Sequence, residues 1–156
     1  RLGLQGVELV QSTFQAFDAR PNEFDIVLLH NSVNHLDEQA CIYLHRDASA
    51  RRIYLDLFRK LQCMVAPGGK VVITDCSRRN FFHDIRRRNP FAPTIEWYKH
   101  QPPEIWSELL CDAGFQNPRV TWTPKVYTRI ANRLLGGNKF IAYFLTSHFR
   151  LTVDRR

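Results

Sequence analysis

The sequence predicts an α/β fold with a mainly parallel sheet, and three observations carry that prediction. "FDIVLLH" (24–30) is a continuous apolar run, the pattern of a strand covered on both faces. "KVVITDC" (70–76) is a second run of the same kind. Between them lies a long helical stretch that Pro67-Gly68-Gly69 stops, so the segment reads as a βαβ unit.

The other elements follow in chain order. "GVELVQSTF" alternates at Val7 and Leu9 and reads as a strand ending near Gln11. The central helix has Ile53, Leu57, Leu61 and Met64 on one stripe, widened by Tyr54, Phe58 and Val65. Residues 77–101 are irregular, basic and aromatic, with Pro90 and Pro93. "PPEIWSELLCDAGF" gives a helix with Pro103 in its first turn and Gly114 as its stop. "PRVTWT" reads as a strand and "YTRIANRLLGG" as a short helix. "KFIAYFLTSHFRLTV" reads as one long strand with Ile141, Tyr143, Leu145, Ser147 and Phe149 on one face.

Composition excludes several classes. The chain has 156 residues, 44% hydrophobic and 24% charged, enough for one domain with a core. No apolar run approaches the ~18 residues of a membrane span. The four cysteines, Cys41, Cys63, Cys76 and Cys111, form no C-x-x-C pair, so the expectation is reduced thiols and no metal site. With no secretory signal visible, a cytoplasmic location is expected. The formal net charge is +7, and much of the excess sits in "SRRNFFHDIRRR". Such a patch suits nucleic acid, anionic lipid or an acidic substrate, but the ordinary reading is a solvated face.

Four segments, in order, resemble the C-terminal two-thirds of a class I S-adenosylmethionine (SAM)-dependent methyltransferase of the methyltransferase-11/12 type. "FDIVLLHNSVNHLDE" resembles that family's fourth strand and its continuation. "LFRKLQCMVAPGGKVVITD" resembles the helix, "L-PGG" turn and fifth strand. "WSELLCDAGF" resembles the helix before strand six, and "FIAYFLTSHF" the last strand. The resemblance implies a Rossmann-like sheet with an antiparallel last strand, incomplete, holding strands three to seven in one partial domain over 1–156. Residues 77–101 then stand where the family varies its substrate-recognition insert. The family's first strand carries a glycine-rich loop that wraps the methionine part of SAM, and its second strand ends in an acid for the ribose. Neither motif is present in these 156 residues, since Gly3 and Gly6 are too few and follow no buried strand.

The resemblance also implies the site. SAM is the expected cofactor and a small-molecule nucleophile the expected partner. His30 matches the position lying along the SAM methionine and ribose, with Asn31 beside it. Thr13 and Phe14 stand at the adenine position, where relatives carry an acid and a small residue. His35 is the candidate general base, with an ordinary pKa near 6.5 suited to proton removal; an architectural role is the alternative. Asn34, Trp97 and His100 are candidate substrate contacts, and packing is the ordinary role of such an aromatic. Asp37 reads as a helix cap. Two other functions stay open: a non-catalytic remnant acting as an interaction module, and a nucleic-acid methyltransferase. The latter ranks lower, because "HNSV" stands where amino-methylating nucleic-acid enzymes carry "(D/N)PP(Y/F)".

Overall fold

The computed structural model describes residues 6–123 and 137–156. The sheet has four strands: β1 (Phe24–His30), β2 (Val65–Cys76), β3 (Phe115–Trp122) and β4 (His148–Arg155). Their order is β1-β2-β4-β3. β1 and β2 are parallel, and β4 is antiparallel to both of its neighbours. Three strands therefore run one way and β4 runs the other, as the family resemblance implied. In family terms this is the run of strands four, five, seven and six.

The helices are α1 (Glu38–Tyr43), α2 (Ala48–Met64), α3 (Phe81–Asp84), α4 (Pro103–Asp112) and α5 (Lys139–Phe144). The single helical stretch expected across 37–67, up to the proline–glycine stop, is two helices. Asp47 breaks it by capping α2, accepting a hydrogen bond from the Ser49 amide at 2.8 Å. Asp37 caps α1 in the same way through Ala40, as expected. α2 also ends earlier than the glycine pair suggests, because Val65 already has extended backbone and opens β2. Gly69 allows a close approach of backbones instead. A Cβ there would lie 2.7 Å from the Asp25 carbonyl oxygen, at the register shift between β1 and β2.

One layer of helices covers one face of the sheet. α2 and α4 pack Tyr54, Phe58 and Trp106 into an aromatic cluster, with Tyr54 and Trp106 ring centroids 5.1 Å apart. Under it lie Val71 and Ile73 of β2 and Phe149, Leu151 and Val153 of β4, all buried. The α2 stripe is rotated from the expected one. Tyr54 and Phe58 are at its centre, and Ile53 is exposed.

Three further expectations are corrected. β1 is not covered on both faces: Leu29 is buried, but Ile26 and Leu28 are 65% and 60% exposed on the side away from α2. Residues 7–13 carry no strand, and Leu9 is exposed. Alternation makes a strand only beside a partner, and no strand pairs with the outer edge of β1 among the described residues. Residues 139–144 are helix, not strand, because the Asn138 side chain accepts from the Phe140 and Ile141 amides. The helix expected over "YTRIANRLLGG" falls almost entirely outside the described residues.

Candidate functional site

β1, β2 and β3 end at one edge of the sheet, and the reversed β4 begins there. That edge carries a polar relay. The Asn31 backbone, in the left-handed region at φ 49°, donates to the Thr74 carbonyl at 2.7 Å. His30 Nδ1 lies 2.6 Å from Thr74 Oγ1. The Asn31 amide nitrogen is 3.4 Å from His30 Nε2, and its oxygen is 3.3 Å from His148 Nε2. His148 Nδ1 in turn lies 2.8 Å from Thr123 Oγ1. One assignment of ring protons serves all four contacts. His30 donates to Thr74, Asn31 donates to His30, His148 donates to Asn31, and Thr123 donates to His148. The relay joins all four strands, and its His30 end is exposed.

Behind the end of β1, Tyr54 fixes the turn through Val33–His35. Its buried hydroxyl lies 3.0–3.3 Å from the carbonyl oxygens of Val33, Asn34 and Asp37. Burial raises the Tyr54 pKa well above its ordinary value, so the hydroxyl stays a neutral donor. The turn sends Asn34 inward, where its Oδ1 is buried without a hydrogen-bond partner among the described residues. His35 goes outward. Its Nδ1 is 2.6 Å from Glu38 Oε1, and the ring is more than half exposed. The bond to His35, with Lys99 second, lowers the Glu38 pKa.

A second histidine–carboxylate pair has the opposite setting. His100 Nδ1 lies 2.9 Å from Asp75 Oδ1 at the end of β2, with the two side chains 14% and 1% exposed. Asp75 Oδ1 also accepts from the Cys76 amide, while Oδ2 is buried and unpartnered among the described residues. An aspartate held on Nδ1 fixes the ring tautomer and leaves Nε2 as the nitrogen that takes up a proton. Next to the pair, Gln101 donates to the Cys41 carbonyl, and Cys41 donates to the Lys99 carbonyl at 3.2 Å. Burial pushes the Cys41 thiol up to about 12, so it is not a nucleophile at neutral pH.

The remaining candidates separate. Thr13 stabilises its own turn, accepting from the Ala16 amide at 3.2 Å. Phe14 lines an apolar cavity of about 300 Å³ with Phe17, Phe24 and the residues of β1. Trp97 is buried in the segment that carries His100. Residues 77–101 are tied to the α5–β4 junction: the buried Asn80 amide reaches the carbonyls of Tyr143 and Leu145 and the Ser147 hydroxyl, each at 3.0 Å. Among the described residues no group of histidine, cysteine and acidic side chains could hold a metal. No described helix is long and apolar enough to cross a membrane.

Sequence reasoning missed Thr74, Thr123, Tyr54 and His148. His148 was concealed by the reading of 139–153 as one long strand. Asn138 before "KFIAYF" is the cap that, taken as such, starts the strand near His148 instead.

No protein-family model and no curated protein matches the chain. Solved structures do. A SAM-dependent methyltransferase from Thermotoga maritima, described as a possible histamine N-methyltransferase, superposes with a TM-score of 0.62 at 14% identity, over 97% of this chain and 65% of its own. One from Aquifex aeolicus gives 0.60 at 16% identity, over 99% and 58%. One from Archaeoglobus fulgidus gives 0.56 at 14%, over 94% and 66%. The fold is thus that of the class I SAM-dependent methyltransferases. The chain spans 58–66% of the length of these three structures.

Proposed function

We propose that this chain forms part of a SAM-dependent methyltransferase that methylates a small-molecule nucleophile. The observation that carries the reading is the relay at the carboxyl edge of β1 and β2, on a sheet with this fold's strand order. Ligands of open α/β sheets bind at that edge. The residues present suit one side of a SAM crevice. His30 and Asn31 offer polar groups for the methionine and ribose, and the aromatic cavity at Phe14, which Thr13 precedes in the chain, offers a surface for adenine.

SAM supplies an activated methyl group on a sulfonium. The protein's own residues then position the nucleophile and take its proton. The proton of the nucleophile goes to a base. Of the two histidines, His100 is better built for that work. Its tautomer is set by a buried aspartate, whereas His35 is paired locally and faces solvent. His35 then serves as a surface brace for α1 through Glu38. Trp97 shapes the segment that carries His100, and Asn34 backs the turn below His30. Residues 77–101 act as the substrate-recognition insert.

A methylation screen on the product of the complete gene tests this assignment. His100→Ala is expected to lower kcat by about 10²-fold or more, and His35→Ala by less than about threefold. His30→Ala is expected to raise KM for SAM. Full turnover in His100→Ala removes it as the base, and a large loss in His35→Ala restores that residue.

A second reading rests on a specific observation. The outer edge of β1 is unpaired among the described residues, with Ile26 and Leu28 exposed beside it, and such an edge accepts an added strand from a partner. A methyltransferase-like interaction module would use it in place of catalysis. It predicts strand pairing along β1 with no methylation of any substrate.

A further inference from the structure

The turn after β2 carries a charge arrangement that is part of neither the His30–Asn31 relay nor the Asp75–His100 pair. A cavity of about 380 Å³ opens there, which is within the range of small-molecule sites. His45 from the α1–α2 turn lines it, with Arg78 and Arg79 from the turn, His83 from α3, and Glu104 and Glu108 from α4. Of the three carboxylates on this wall, Glu104 and Glu108 are paired with cations, and Asp84 keeps its charge beside a tyrosine hydroxyl. Glu104 lies 3.2 Å from Lys139 Nζ, and Glu108 lies 3.1 Å from Arg51 Nη2. Asp84 accepts from the Tyr143 hydroxyl at 2.9 Å.

The arginines are not matched in this way. Arg78 is half-buried and donates from Nη1 to His45 Nδ1 at 2.9 Å, so that nitrogen carries no proton. No carboxylate of the described residues makes an ion pair with Arg78 or Arg79. Burial lowers the Arg78 pKa, and Arg46 adds repulsion. His45 is lowered too, by burial first and Arg78 second. A partly desolvated cation without a counter-ion is unfavourable, and an oxyanion docked on it removes the penalty. A guanidinium presents two parallel donors in the spacing of phosphate or carboxylate oxygens.

We propose that this cavity binds the phosphate group of a small molecule, with Arg78 as the anchor and Arg79 and His83 at the rim. Two guanidiniums without carboxylates of their own favour a doubly charged group over a carboxylate. Phosphate binding here is read out without a methylation step and holds whether or not the chain takes part in that reaction.

The test is a titration of the 156-residue chain with inorganic phosphate, and separately with benzoate, followed by amide chemical shifts. Saturable shifts are expected at His45, Arg78, Arg79 and His83, with phosphate at least about tenfold tighter than benzoate. Arg78→Gln should weaken phosphate by about tenfold or more, and Arg79→Gln by less. Replacing the exposed Arg86, Arg87 and Arg88 together by Gln should leave the affinity within about twofold. If Arg78→Gln fails to fold, the wild-type shift map and Arg79→Gln still decide. Absent or non-saturable shifts overturn the proposal, as do shifts centred elsewhere. Benzoate binding as tightly as phosphate overturns the assigned class. An equal loss in the triple variant shows diffuse charge rather than a site, and also overturns it.

Discussion

On one face of the sheet, Val71, Ile73, Leu151 and Val153 lie under α2 and α4 and are wholly buried; on the other, Ile26 and Leu28 stand exposed in the neighbouring strand. The register places these residues on opposite sides. Leu28 pairs with Val72, and Val72 with Thr152, so one row of the open face runs from apolar to polar. At the polar end the open face is self-sufficient. Asp154 binds Lys70 at 2.6 Å and Arg119 at 3.0 Å, and Lys70 leads in lowering its pKa. At the apolar end Ile26 and Leu28 stay exposed, with only the open cavity at Phe14 and Phe17 beside them. The covered face therefore accounts for the stability of the chain. The open apolar corner is the part that a further segment or partner would complete. It adjoins the His30–Asn31 relay, which is where the proposed crevice lies.

The largest expected contrast is between core truncations on the two faces. Trp106→Ala should cost about 3–5 kcal/mol in urea unfolding. Leu28→Ala should cost only about 0.5 kcal/mol, because its side chain is already in water. Equal losses would mean that the open face is covered in solution. Next comes Gly69→Ala, which forces a methyl group against the Asp25 and Ala66 carbonyls at the β1–β2 junction. A loss of about 1–3 kcal/mol is expected, with slower folding if this pairing forms early.

A third variant acts on the open face alone. Ile26→Lys with Leu28→Lys should leave the melting temperature within a few degrees and weaken whatever self-association the wild-type chain shows in sedimentation, since charge on an edge blocks strand addition. Unchanged association would locate it elsewhere.

The smallest effect is on pH response and separates a buried from an exposed position within the helical layer. Cys41 is buried on the covered side with its thiol pushed up to about 12 from an ordinary 9.0. The folded state then holds a proton that the unfolded state loses. Stability is full below about pH 9 and falls as pH rises from there toward 12. Cys41→Ala should flatten this decline between about pH 8 and pH 10. In the same chain the exposed Cys63 should react with a thiol reagent at about pH 8 while Cys41 does not.

Much of the covered face was legible in the sequence. The apolar runs at 24–30 and 70–76, the α2 stripe and the Pro103–Gly114 helix are all local signals, and each forms an element. What the sequence concealed depends on partners. Val7 and Leu9 alternate as a strand does, yet form none without a neighbour to pair with. Ile26 and Leu28 read as buried because a parallel strand normally has helices on both sides. The 139–149 region carries β-branched and aromatic residues of either type, and one cap at Asn138 decided for helix. In the site, His30 and Asn31 were legible because they close a strand that sequence alone locates. The Asp75–His100 pair and the His148 link were not, since each joins residues 25 or more positions apart through the chain's path.

On the proposed reading, these 156 residues supply one wall of a SAM crevice and not the whole of it. Calorimetric titration of residues 1–156 with SAM distinguishes the two. The expected result is no saturable heat at concentrations up to about 1 mM, because the open corner beside His30 and Asn31 has no opposing donors among the described residues. Micromolar binding by the same chain would contradict it, and would mean that the relay and the Phe14 cavity hold the cofactor unaided.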